Sequence, residues 1–148
     1  MTVLDIGNNV AVNTQIVAQT LAASSADATA VDMKNVTWAI VHINAGTKAG
    51  TASAYTFKVE HSTDNAAFTT CDKVGSAAGA EDATIVVTAT PGATDERTYL
   101  VAIDARRVNR YVRVACDIDT GSDDFPVACS IITMPDYTGQ TDTPEFSV

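Results

Sequence analysis

Aromatic residues are scarce in this chain, 6% of 148 residues, and Trp38 is the only tryptophan. Leu, Glu, Lys and Gln, which dominate helical proteins, give way to Thr, Ser, Val and Ala. Basic residues are few as well: nine Lys and Arg stand against eighteen Asp and Glu, for a net charge of -9. That balance argues against a nucleic-acid-binding module, which needs a basic face to displace counterions, and against an anionic membrane surface. No run of about 18 apolar residues is present, so no helix of the chain spans a bilayer. Met1-Thr-Val-Leu-Asp lacks the basic segment and apolar core of a secretory signal, so export by that route is not expected. No glycine-rich loop can cradle a phosphate, and no Cys-His pair has ligand spacing. The three cysteines, Cys71, Cys116 and Cys129, are odd in number and widely spaced, which excludes a zinc motif and any dense disulfide framework.

What is present is alternation. A chain of this length forms one domain with a core of its own, and its 46% hydrophobic content is largely Ala and Val. All-β is the class these residues select. The clearest stretch is Leu100 to Asp119. Two strand-like runs, Tyr99 to Ile103 and Arg110 to Ile118, flank a short basic turn and read as a central hairpin. In the second run Val112, Val114, Cys116 and Ile118 point one way, while Tyr111, Arg113, Ala115 and Asp117 point the other. That is the period of a half-buried antiparallel strand.

Residues 1–30 are the least regular part, an N-terminal arm or edge segment. Gln15 to Ala22 fits a short strand or a turn of helix, and Ala22 to Ala30 is small and low in complexity. Read as an arm, it can be removed without unfolding the rest. Residues 31–134 hold the sandwich. Val36 to Ile43 is apolar on both faces, as a central strand would be, with Trp38 expected to anchor the core. Tyr55, Phe57, Val59 and His61 alternate with Thr56, Lys58 and Glu60; Ser62 to Asn65 is a turn, and Phe68 returns the chain to the core. Thr84 to Thr90 is a strand closed by Pro91-Gly92, and Val127 to Met134 is the last strong strand. Residues 135–148 form an irregular polar tail containing Tyr137. Seven or eight short strands with turns every eight to twelve residues predict an antiparallel β-sandwich or jelly roll.

Candidates for chemistry are few. Asp117, Asp119, Asp123 and Asp124 surround Gly121, but Gly121 and Ala128 stand where a calcium loop needs ligands. A solvated hairpin turn explains them better. His61, Ser62 and Asp64 have the residue types of a hydrolase triad, yet lie too close in sequence to converge on one reacting atom. His42, on an apolar strand, reads as a satisfied core or interface histidine. Neither an enzymatic site nor a cofactor or metal is expected. Cys116 and Cys129, at similar distances either side of the 119–125 turn, would be cross-strand neighbours; buried thiols are expected, with a bridge as the alternative. The one polar feature that stands out is Arg106, Arg107, Arg110 and Arg113, four of the nine basic residues within eight positions. Arginine forks grip carboxylates, so the cluster either docks on an acidic partner or subunit, or pairs with this chain's own Asp and Glu.

Two patterns together carry a resemblance: Val31-Asp-Met-Lys leading to the Trp-bearing strand and Phe57-Lys-Val-Glu-His-Ser-Thr-Asp-Asn-Ala-Ala-Phe68, followed by Arg106-Arg-Val-Asn-Arg-Tyr-Val-Arg-Val114. In this order and length, over residues 31 to 134, they resemble the head decoration or cement proteins of tailed bacteriophages. The resemblance implies a non-enzymatic sandwich subunit, made in the host cytoplasm and bound to the major capsid protein on the virion exterior. Such subunits often form homotrimers that strengthen the expanded shell. It also implies that the four arginines contact the capsid or a neighbouring subunit. The same motifs also resemble discoidin-like carbohydrate-binding sandwiches, with Asn65 at that family's glycine and Phe68 at its tryptophan. Its bracketing disulfide and exposed aromatic loop tips are missing here.

Overall fold

The strand Val36–Ala45 alternates strictly: Ala39, Val41, Ile43 and Ala45 are buried, and Trp38, Ile40, His42 and Asn44 lie on the other side. The same parity recurs along the chain, because one face of each strand must leave water and the other need not. The computed structural model describes residues 10–22, 26–46, 54–73, 77–88, 97–118 and 124–135. In these the strands are β1 (Ala11–Ala22), β2 (Ala26–Asp27), β3 (Val31–Asp32), β4 (Val36–Ala45), β5 (Ala54–Ser62), β6 (Thr69–Thr70), β7 (Thr84–Thr88), β8 (Arg97–Asp104), β9 (Tyr111–Ile118) and β10 (Asp124–Pro135). One 3-10 turn covers Ala105–Arg107.

Two antiparallel sheets result. The first has the order β1-β10-β4-β8; the second has β2-β9-β5-β6, with β3 also on β9 and β7 also on β5. Short β2 and β3 share one edge position along β9, and β6 and β7 share the opposite edge along β5. The ten segments therefore fill eight positions, four over four. Among them only β5 pairs with the strand that follows it, and the other connections return to a position already taken or cross to the opposite sheet. That is the order of a jelly roll. The all-β, two-sheet expectation holds.

The core between the sheets is aliphatic. Val41, Ile43 and Ile131 from the first sheet meet Val59, Val112, Val114 and Cys116 from the second, and Phe57 is the largest fully buried side chain. This is how a chain poor in aromatics fills a sandwich: branched residues on facing strands interdigitate.

Four expectations need correction. The stretch from Tyr99 to Ile118 is no hairpin, because β8 pairs with β4 in one sheet and β9 with β5 in the other. Asp104 caps the 3-10 turn by accepting the Arg106 N–H, and the turn carries the chain across the sandwich. Alternation is identical in a hairpin and in such a corner, so pattern alone could not separate them. Trp38 is not a core anchor; it is 42% exposed, on the outward parity of β4. Phe68 does not return to the core either: it is half-buried on the outer side of the second sheet, under the Arg113 guanidinium. Cys116 and Cys129 lie on strands of different sheets and are free thiols, so they are not cross-strand neighbours.

Residues 1–30, read as an arm or edge segment, supply the edge strand β1 over Ala11–Ala22. Ile16 is buried, and the Gln15 side-chain oxygen accepts the Val114 N–H of the opposite sheet at 3.4 Å. Residues 1–9, 23–25, 47–53, 74–76, 89–96 and 119–123, and the 136–148 tail with Tyr137 lie outside the described residues.

Candidate functional site

The four arginines sit where β8 hands over to β9, and three of them grip carboxylates of their own chain. Arg106, 75% exposed, lies on Asp104 with Nε–Oδ1 and Nη2–Oδ2 distances of 2.9 and 2.7 Å. This fork holds the Asp104 carboxyl down to about 2, helped by the capping N–H of Arg106 itself. Arg110 makes a similar fork on Asp32 of β3, at 3.1 and 2.8 Å, and its guanidinium stands 5.1 Å from the Tyr111 ring. Arg110, with the Lys34 N–H next, brings Asp32 down to about 2. Arg113 reaches across the outer face of the second sheet to Glu60 at 2.8 Å and Asp27 at 3.3 Å, with its guanidinium 4.1 Å over the Phe68 ring.

Arg107 differs. It is exposed and makes no hydrogen bond or ion pair with another described residue. It lines a cleft of about 320 Å³ between β8 and the β5–β6 edge, together with Lys73, Val59, Cys71, Leu100 and Val108. Asp72, also on the cleft, is engaged by the Glu81 and Gly79 N–H groups at 2.7 Å, which hold its carboxyl below the usual range.

The structure separates the other candidates. His61, Ser62 and Asp64 each hold up the backbone. The Ser62 hydroxyl donates to Asp64 Oδ1 at 2.8 Å, and the same oxygen accepts the Ala66 and Ala67 N–H groups. These bonds keep the Asp64 carboxyl low. His61 Nδ1 accepts the Asn109 N–H at 3.2 Å, tying the turn to the start of β9. Asn65 has φ 61°, a left-handed conformation that asparagine tolerates and that glycine supplies in the discoidin-like pattern. Asp117 pairs with Lys58 at 2.6 Å, which raises the lysine's pKa. Asp119 and Asp123 lie outside the described residues. Among the described residues no three His, Cys, Asp or Glu side chains are placed to hold a metal ion. Burial pushes the Cys71, Cys116 and Cys129 thiols up to about 12. His42 is half-buried on the outer side of the first sheet, beside Ser130 and Leu100 in register.

One group of residues escaped the sequence reading. Trp38, Val12 and Leu100 are exposed at 42%, 64% and 67%, all on the outer side of the first sheet. The parity of Ala39, Val41 and Ile43 would have placed Trp38 there, had the strand not been apolar on both sides.

No protein-family model and no curated protein sequence matches the chain. Among solved structures it is similar to a chain of the infectious bursal disease virus Gx strain structure, at 8% identity and a TM-score of 0.50, over 88% of this chain. The match covers 32% of that chain, so the protein spans about a third of its length. It is also similar to a Bacillus endospore appendage, from a family of disulfide-linked pili, at 15% identity and a TM-score of 0.47, over 86% of this chain and 89% of that one. At 8% identity the likeness to the virus chain speaks to fold alone.

Proposed function

We propose that this protein is a non-enzymatic structural component of a virion, a decoration subunit on the exterior of a phage head. It would be made in the host cytoplasm, would bind the major capsid protein and would self-associate as a homotrimer. The observation that carries the reading is the four-over-four sandwich with the decoration-like motifs on it, a fold shared with a chain of a virus structure. The polar groups lend support. The candidate triad, the cap and most of the arginines hold the backbone or neighbouring strands of the second sheet, which suits a subunit that works by contact. Arg107, which makes no ion pair with another described residue, is the arginine left to meet an acidic surface.

The test is co-sedimentation with expanded, undecorated phage heads, alongside light scattering of the free protein. A trimer that saturates the shells, with Arg107→Glu weakening attachment while the fold survives, supports the reading. A protein that stays with the supernatant at every ratio removes it.

A further inference from the structure

The two outer faces of the sandwich are unlike. On the second sheet, the Glu60–Arg113–Asp27 and Lys58–Asp117 pairs cover the face with charge. On the first sheet, the outward positions at 12–14, 38–44, 98–102 and 128–134 carry no Asp, Glu, Lys or Arg, and charge stands at one corner, where Asp104, cross-strand from Trp38, is held by Arg106. Val12, Ile132, Ile40 and Ala102 stand in register as one row across all four strands. Three of the four large hydrophobic side chains that the described residues leave exposed, Val12, Trp38 and Leu100, belong to this face. A sheet face so low in charge and so rich in apolar side chains, on a chain of net charge -9, has the composition of an interface core, from which charged residues are depleted.

We propose that this outer face of the first sheet is where further copies of the chain pack. The proposal rests on the self-association part of the reading above and names its surface. Charge selects the occupant: elsewhere two copies of so acidic a protein meet with like charges, whereas here each copy offers the other a surface whose charged corner, Asp104, is already paired with Arg106. Size bears on strength. About 22 residues at about 3.3 Å each, on strands about 4.8 Å apart, give roughly 350 Å² in projection. A corrugated side-chain surface exceeds its projection, which brings it to the smaller, weakly held interfaces of under about 600 Å² per partner. Away from the Asp104–Arg106 corner, the face is also free of the buried-charge desolvation that would oppose docking through the second sheet.

Trp38, the only tryptophan, reports on this face directly. The experiment follows acrylamide quenching of Trp38 and light-scattering mass over the same range of protein concentration. The expected result is a rise to a multiple of the 15.4 kDa chain mass, with Trp38 becoming shielded over the same range. Leu100→Glu, at an exposed site that the fold tolerates, moves association to roughly tenfold higher concentration or more. Val12→Glu is the second variant and acts the same way. Association that leaves Trp38 quenching unchanged, association that ignores both variants, or a protein monomeric at about millimolar concentration each overturns the proposal. Self-association without attachment to phage heads would remove the virion reading and leave this one standing. A monomer whose Trp38 is shielded only by shells would give the face to the capsid instead and overturn the second copy as occupant.

Discussion

Arg113 on β9 and Glu60 on β5 are cross-strand partners, and their side chains close an ion pair at 2.8 Å while the guanidinium covers Phe68. Both side chains are largely shielded, 20% and 14% exposed, so the pair is more than a surface contact. Arg113→Ala leaves Glu60 half-buried without its fork and is expected to destabilise the fold by about 2 kcal/mol, below the range for a fully buried pair. Arg113→Lys keeps the charge but loses the planar fork and the stacking on Phe68, and should fall between. Urea unfolding of the three proteins checks this order. If Ala and Lys variants unfold at the wild-type midpoint, the pair contributes nothing.

The acid limb of stability follows from the two forks at the corner. Asp32 and Asp104 have folded pKa values of about 2 against an ordinary 3.8. Their contribution is whole above about 4 and is lost as pH falls toward 2, because the unfolded carboxyls take up protons first. Thermal scans of Asp32→Asn with Asp104→Asn should show a lower Tm near neutrality and a shallower fall below pH 4 than the wild type. Identical acid limbs would mean that neither fork matters to stability.

The thiols set an alkaline limb of the opposite sign. Cys71, Cys116 and Cys129 ionise at about 12 in the fold, against 9.0 ordinarily. Between those values the unfolded chain sheds protons that the folded chain keeps, so stability falls as pH rises, and below 9 the thiols contribute no slope. The native protein should therefore resist alkylation at pH 8 and react at all three sites once unfolded. Rapid labelling of any of them in the native state would contradict the burial described.

Strand β1 belongs to the sheet. Ile16, 3% exposed, packs into the core from β1, so Ile16→Ala should cost about 3 kcal/mol. Deleting residues 2 to 22 removes a whole edge strand and bares β10, and the shortened chain should lose cooperative unfolding. This is the opposite of what a detachable arm would do. A truncated protein with wild-type circular dichroism and an unchanged Tm would restore the arm reading.

Side-chain parity was legible in the sequence wherever one face of a strand is apolar and the other is not. Val112, Val114 and Cys116 against Arg113 and Asp117, or Phe57 and Val59 against Lys58 and Glu60, could have only one face buried. Those runs, with their composition, determine an all-β sandwich. In β4, Trp38, Ile40, Val41 and Ile43 offered two apolar faces, and only packing against the second sheet decided that Val41 and Ile43 go in and Trp38 stays out. Pairing was not legible either. The Asp104-capped corner and a hairpin turn need the same short polar sequence, so which strand β9 joins is a matter of long-range register with β5. The arginine cluster was visible as a run, while its division among Asp104, Asp32, Glu60 and Asp27, with Arg107 left over, depended on strands up to 86 positions away in sequence, from Asp27 to Arg113. Local chemistry chose the strands; the placement of their partners, which no local pattern encodes, covered one face with charge and left the other with little beyond its Asp104 corner.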